Sequence, residues 1–292
     1  MNRTYYYSAF HWTDGPVTTL DRATALRSTG IDAIELGSRT TYEAGVEAVV
    51  KGLGGDVLLH NYFPAPRESF VFNLASADDT IRSRSLQLAA TAIELSAAIG
   101  APCYGVHAGF VTDPDGFDGI SFTFPSAGGP RDRDSAYRRF LGSIAELEKA
   151  ARVAGIRLLV ENNVCPPRLV GRLLLQTADE FGRLFEDLAS HEAIGILLDT
   201  GHLNVTAKTF RTDPLEFAER HAGRIWGLHL HDNDGDDDDH GPVRPSGPAL
   251  AIARKCEKAR WITVEAKCGT LDRIKEQLAL TRSALSSMGA TT

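Results

Sequence analysis

Nine histidines stand in the 292-residue chain, and seven of them (His11, His60, His107, His202, His229, His231 and His240) fall at or just beyond the end of a short apolar run. His191 and His221 do not. Imidazoles gathered in this way suit metal binding or proton transfer. Four consecutive apolar runs also carry an acid or an imidazole near their ends: RLLVE ends at Glu161, GILLD at Asp199, IWGLH at His229 and WITVE at Glu265. One carboxylate so placed is as readily a helix cap or a surface ion pair. Three carboxylates and an imidazole at the edge of an apolar interior are harder to explain that way, because an unpaired buried ion costs several kcal/mol, and together they require a cation. An oxygen-rich set with one imidazole suits Mn2+ first, then Mg2+ or Co2+, and also accommodates Zn2+. Glu35, in IELG, lacks such company and reads equally as an internal ion-pair partner; His11 beside Trp12 reads equally as a substrate wall or a loop pair.

Eight short runs rich in β-branched and aromatic residues could position these groups: YYYSAF from Tyr5, AIELG from Ala33, DVLLHNYF from Asp56, CYGVHAG from Cys103, RLLVENN from Arg157, GILLDTGH from Gly195, IWGLHLHD from Ile225 and WITVEAK from Trp261. Helical patterns lie between and after them, over 18–29, 41–51, 76–99, 133–154, 177–189, 213–222, 247–259 and 270–287. Capping signals open several of these: Ser76 with Asp79, Thr177 with Glu180, and Asp213 before Pro214. Strand and helix alternating eight times predicts an α/β fold, a single (β/α)8 TIM barrel occupying 1–292 as one domain. A doubly wound sheet would carry its glycine fingerprint after a strand, whereas Gly52-Leu53-Gly54-Gly55 precedes one. In a barrel the loops after the strands form the active face, where the histidines fall. A Gly-, Pro- and Phe-rich stretch at about 110–132 reads as a lid-like insertion, and CPPRLVGRLLLQ after the fifth strand as a shorter one.

The net charge of -7, from 31 Lys+Arg and 38 Asp+Glu, disfavours a nucleic-acid or anionic-membrane partner. No long uncharged apolar run is present, and MNRTYYYSAF lacks a signal-peptide pattern, so the expected location is cytoplasmic. Cys103, Cys165, Cys256 and Cys268 form no C-x-x-C pair and read as inert thiols. No serine-hydrolase elbow, phosphate loop or deaminase motif occurs, and DNDGDDDD does not fit an EF-hand loop. A homo-oligomer is compatible with the sequence.

Taken in order, VENN at Val160, LDTGH at Leu198, HLHD at His229 and VEAK at Val264 resemble the xylose isomerase-like TIM barrels, the superfamily that also contains endonuclease IV. HNYFPAP at His60 and VHAGF at Val106 are further echoes, and the likeness covers nearly the whole chain. The resemblance implies one divalent metal held by Glu161, Asp199, His229 and Glu265, with His202 facing the substrate. His229 and His231 lie two residues apart and so face the same side of a strand. HLHD resembles the family's H-x-[NK]-D form and favours His229 as the ligand, leaving His231 with His60, His107 and Lys267 near the substrate.

The implied activity is a metal-dependent sugar or sugar-phosphate isomerase or epimerase, with Glu161 and Glu265 as the acid/base pair and His202 holding a substrate oxygen. Three carboxylates and one divalent ion leave the site near -1, so a phosphate would need rim cations. Arg131, Arg133, Arg168, Arg244 and Lys267 are the candidates, and a neutral sugar is preferred. The alternative is an endonuclease IV-like phosphodiesterase for abasic DNA. His60, His107, Glu161, Asp199, His202, His229, Asp238, His240 and Glu265 match that enzyme's three-zinc ligand set. A single-metal dehydratase or lyase would use the same proton abstraction.

Overall fold

A computed structural model describes residues 3–117, 122–125 and 130–286. In chain order its elements are β1 (Thr4–Ser8), α1 (Thr19–Arg27), β2 (Ile34–Leu36), α2 (Val46–Leu53), β3 (Val57–His60), α3 (Asp79–Ala98), β4 (Cys103–His107), β5 (Gly116–Phe117), β6 (Phe122–Thr123) and α4 (Pro130–Ala154). They continue as β7 (Arg157–Glu161), α5 (Ala178–Asp187), β8 (Ile194–Asp199), α6 (Thr200–Phe210), α7 (Pro214–Arg220), β9 (Ile225–Leu230), α8 (Pro248–Ala253), β10 (Trp261–Val264) and α9 (Leu271–Ser286). The strands close a parallel barrel in the order β1-β2-β3-β4-β7-β8-β9-β10, with β10 pairing back onto β1. This is the expected (β/α)8 barrel.

Side chains alternate across each strand. One set, including Tyr7, Ile34, Leu59, Tyr104, Val106, Val160, Leu198, Leu228 and Val264, belongs to the large buried core. The other set starts with an apolar plug of Tyr6, Leu58, Cys103, Leu159 and Leu197. Gly105 makes room for it: a Cβ there would lie 2.8 Å from Leu197 Cδ2 and 3.0 Å from His60 Cδ2. Two residues further along the same strands come His60, Glu161 and Asp199, with His107 four residues beyond Cys103, so a polar layer caps the plug. A register irregularity between β8 and β9, where Ile196 pairs with Ile225 and Leu197 with Gly227, leaves Trp226 of β9 as the extra residue and sets His229 opposite Asp199.

Several boundaries differ from the sequence reading. Helix α6 was not anticipated: it starts directly on Asp199, whose side chain accepts from the His202 backbone N–H. Helix α3 begins at Asp79 with Asp78 as its cap, because Ser76 Oγ is instead engaged by the Asp78 N–H and by Asp113. The expected caps at Thr177 and Asp213 form, the former as a complete capping box. Among the described residues the four cysteines are buried free thiols, and no helix is long and apolar enough to cross a membrane.

The expected insertion at 110–132 is shorter than the sequence suggests, because α4 begins at Pro130; 118–121 and 126–129 lie outside the described residues. What is described forms the β5–β6 hairpin, with Phe110 packed against Phe122 and Phe124 at centroid distances of 5.2 and 5.7 Å. The insertion after β7 supports it. Arg172 lies over the Phe124 ring and donates to the Pro125 carbonyl at 3.0 Å, and the Val111 N–H donates to the Arg172 carbonyl at 2.8 Å.

Removing the centre of the plug tests this layered interior. Leu197→Ala is expected to lower the unfolding free energy by about 2–5 kcal/mol, measured by urea denaturation.

Candidate active site

The ENN tripeptide after β7 organises the mouth of the barrel. Glu161 Oε2 lies 2.6 Å from His60 Nε2 and 3.2 Å from His107 Nε2, while Oε1 lies 3.4 Å from His229 Nδ1 and 3.5 Å from His202 Nδ1. Asn162 pins the neighbouring strand: its Nδ2 donates to the Asp199 carbonyl at 3.0 Å and its Oδ1 accepts from the Asp199 N–H at 2.7 Å. Its own carbonyl lies 2.9 Å from His202 Nδ1. Asn163 Oδ1 lies 3.1 Å from His107 Nδ1, and its Nδ2 donates to the Leu174 carbonyl at 2.8 Å, which ties the site to the second insertion.

Asp199 has two tasks because α6 starts on it. Its Oδ1 accepts from the His202 N–H at 2.7 Å, as a helix cap should, and also lies 3.1 Å from His231 Nε2. Its Oδ2 faces His229 Nδ1 at 3.9 Å. Glu265 Oε2 is 3.5 Å from that same nitrogen, so Glu161, Asp199 and Glu265 converge on His229 Nδ1. Beside this group Asp238 Oδ2 stands 3.3 Å from His202 Nε2 and 3.1 Å from His240 Nε2, and Asp238 Oδ1 lies 3.5 Å from His231 Nε2. His240 holds φ 50 in the left-handed region and stacks on His231 at 4.1 Å between centroids.

The donors fit a divalent cation. His229 Nδ1 and Asp199 Oδ2 face each other, both buried without a hydrogen-bond partner, and Glu161 and Glu265 bring carboxylate lone pairs to the same nitrogen. His202 must donate from Nδ1 to the Asn162 carbonyl, which leaves Nε2 facing the Asp238 carboxylate with a lone pair unless a proton or a metal lies between. Sets whose donor atoms lie within 4.8 Å of one another include Glu35, His60, His229 and Glu265; His11, His240 and Glu265; His60, His107 and Glu161; Asp199, His202 and His231; and His231, Asp238 and His240.

Without a cation, protons fill that role. Burial works to lower the His229 pKa, and the fields of Glu265, Glu35 and Glu161 outweigh it and hold the group well above 6.5. His202 is likewise held well above its usual value, burial being overcome by Asp199 and Asp238. Burial favours the neutral form of Asp199, but His202 and His231 draw its pKa down to about 2. Glu161 also ends well below the carboxylate range, its burial outweighed by His107, His60 and His229. His107 goes the other way: burial dominates and lowers it to about 4, leaving a neutral ring with a lone pair to offer.

A family model described as a xylose isomerase-like TIM barrel matches residues 23–283. The chain belongs to that family. Among solved structures, this xylose isomerase-like barrel is similar to a D-tagatose 3-epimerase-like protein, with a TM-score of 0.73 and 18% identity over 98% of this chain and 99% of the other. It is also similar to D-allulose 3-epimerase from Methylomonas sp., with a TM-score of 0.62 and 14% identity over 99% and 97%. A third likeness is to the TTHB071 protein of Thermus thermophilus, soaked with ZnCl2, with a TM-score of 0.64 and 17% identity over 98% and 99%. At these identities the likeness is one of fold. A curated relative, the uncharacterized protein y4fM of Sinorhizobium fredii, is 25% identical over 171 residues, which are 58% of this chain and 47% of that protein.

In this family member most of the expected site residues come together. Glu161, Asp199, His229 and Glu265 share one centre, and His60, His107 and His202 ring Glu161, while His231 lies between Asp199 and Asp238. Lys267 is exposed, and its backbone N–H donates to the His240 carbonyl at 2.8 Å. Of the other rim cations, Arg133 pairs with Glu180, Arg168 with Asp237 at 2.6 Å and Arg244 with Asp232 at 3.3 Å; the Arg131 side chain lies outside the described residues. The roles of Asn162 and Asn163 were not read from the sequence, although both sit within the VENN motif.

Gly201 is the tightest point of the site: a Cβ there would lie 1.9 Å from His231 Cε1. Gly201→Ala must displace the fully buried His231, with an expected loss of about 1–3 kcal/mol in urea unfolding and weaker metal uptake in a dialysis assay.

The histidine shifts also set a pH dependence. Because His202 and His229 have raised folded-state values, their stabilisation of the metal-free chain is complete below about pH 6.5 and is lost as pH rises through those values. Urea midpoints in EDTA should therefore fall on the alkaline side. The contribution of Asp199, present above 3.8, is lost as pH falls toward about 2.

Proposed function

We propose that this chain is a divalent-metal-dependent isomerase or epimerase of a sugar, working by proton removal next to a carbonyl. The observation that carries the reading is the convergence of Glu161, Asp199 and Glu265 on His229 Nδ1, at 3.4, 3.9 and 3.5 Å. These residues would hold one ion, Mn2+ by preference and otherwise Mg2+, Co2+ or Zn2+. Such an ion supplies Lewis-acid stabilisation of the negative charge that grows on substrate oxygens as the proton leaves.

The chain's own residues do the rest. Glu161 and Glu265 come from β7 and β10, with β8 and β9 between them, so they reach the centre from opposite flanks of a four-strand arc. One carboxylate takes the proton from the carbon beside the carbonyl, leaving an enediolate. Return to the neighbouring carbon, with the hydroxyl proton passing from one enediolate oxygen to the other, completes an isomerisation, and return by the other glutamate to the opposite face of the same carbon completes an epimerisation. His202 and His231 offer ring nitrogens to hold substrate oxygens, with His60 and His107 beside them. The pairing of Arg133, Arg168 and Arg244 with carboxylates supports a neutral sugar over a phosphorylated one. The epimerase names among the structural neighbours point the same way.

A second reading is favoured by a separate observation. His60, His107 and Glu161 form one tight donor set, and His202 and His240 both approach Asp238 Oδ2, so three ions could be held as in a phosphodiesterase acting on abasic DNA. The charge of -7 and the acidic run over 234–239 oppose a DNA backbone.

Glu265→Gln should reduce turnover by about 10^2–10^4-fold with the fold intact, and candidate ketoses should exchange a carbon-bound proton in D2O with the unaltered chain. Near-normal activity in the variant would overturn the acid/base assignment. Metal analysis separates the two readings, since about one ion per chain supports the isomerase and three support the hydrolase.

A further inference from the structure

Beneath the metal-facing groups lies a carboxylate that the mechanism above does not use. Glu35, at the centre of β2, is 3% exposed inside the barrel. Its Oε2 accepts from Thr263 Oγ1 at 2.7 Å, which anchors the carboxylate to β10. Its Oε1 lies 2.9 Å from His229 Nε2 and 4.0 Å from His60 Nδ1. The other nitrogens of those two rings face Glu161, His229 Nδ1 at 3.4 Å and His60 Nε2 at 2.6 Å. Two imidazoles, edge to face at 4.8 Å, thus stand between a lower carboxylate and an upper one.

We propose that Glu35 is the positioning residue of the centre: it keeps a proton on the inner nitrogen of His229, Nε2, so that the outer nitrogen, Nδ1, presents its lone pair to the cation. The inference rests on the metal-dependent reading above and assigns the His229 tautomer within it. Two lone pairs facing each other at 2.9 Å would repel, so a proton belongs between Glu35 Oε1 and His229 Nε2, even though the contact is short rather than in line with the ring N–H. A ligating imidazole commonly has its second nitrogen held by a carboxylate, which fixes ring orientation and raises its basicity. The buried glutamate does this from below for His229 on β9, while His60 Nδ1, at 4.0 Å, is beyond its hydrogen-bond reach. Thr263 keeps the carboxylate from rotating away.

Glu35→Gln keeps the side-chain volume and removes the charge. It is preferable to Glu35→Ala, which would enlarge the cavity of about 10 Å³ already lined by Glu35, His60, Leu197 and Thr263. Co2+ titration followed by visible absorption should show Glu35→Gln binding about 10–100-fold more weakly, with an altered absorption band. In the metal-free chain at alkaline pH, where the His229 ring is neutral, 15N NMR of the imidazoles should show His229 with its proton on the inner nitrogen, and a redistribution of that proton in the variant. Thr263→Val, which leaves the carboxylate but frees it, should give a smaller shift in the same direction and keeps the test available if Glu35→Gln fails to fold. Affinity within about threefold of the unaltered chain, an unchanged spectrum and unchanged tautomers would overturn the proposal. If the unaltered chain takes up no Co2+, the metal-dependent function is what fails, and the NMR arm still decides the role of Glu35.

Discussion

The interior of a closed parallel barrel holds too little water to solvate charge, so every carboxylate placed there must be met by a partner from the protein or by a bound cation. Glu35, Glu161, Asp199 and Glu265 all lie in or directly above that interior, each nearly inaccessible to solvent. The imidazoles of His60, His202, His229 and His231 surround them. Their raised values and the lowered values of Glu161 and Asp199 are two sides of one constraint, with protons occupying positions that a divalent ion can take.

The backbone makes this concentration of charge tolerable. The apolar plug centred on Leu159 and Leu197 seals the barrel below the polar layer, and the two-residue step along each strand lifts Glu161, Asp199 and His60 directly above it. Helix α6 then adds its N-terminus at the point of highest negative charge, so the Asp199 carboxylate is held by a backbone N–H as well as by imidazoles. Asn162 locks β7 to β8 through both of its amide atoms, which fixes the spacing between Glu161 and Asp199 independently of any ligand. The layered arrangement runs from Thr263 through Glu35 and His229 to Glu161.

Much of this was legible in the chain itself. Eight apolar runs at regular spacing carry enough hydrophobic pattern to specify the barrel, and acids or imidazoles near the ends of β7 to β10 mark its active face because strand polarity alone decides which end they occupy. Glu35 illustrates the limit: nothing near it in sequence reveals its company, since Thr263 and His229 reach it from strands roughly two hundred residues away. Helix α6 was missed for a local reason, because a helix normally needs a connecting turn after a strand and this one uses the last strand residue as its cap. The stretch after β4 stands out by composition, but the contact of Arg172 with Phe124 and Pro125 joins two separate insertions and is not marked in either.

The sequence by itself determined the fold class, the face on which the acids and imidazoles gather and the residue types found there, because alternation and strand polarity act over a few residues. Only the tertiary structure decided which nitrogen of each histidine meets which oxygen, that Asp199 both caps α6 and faces His229, and that Glu35 lies beneath two imidazoles. Those outcomes depend on barrel closure, on the register irregularity between β8 and β9 and on packing between distant strands, none of which a local pattern encodes.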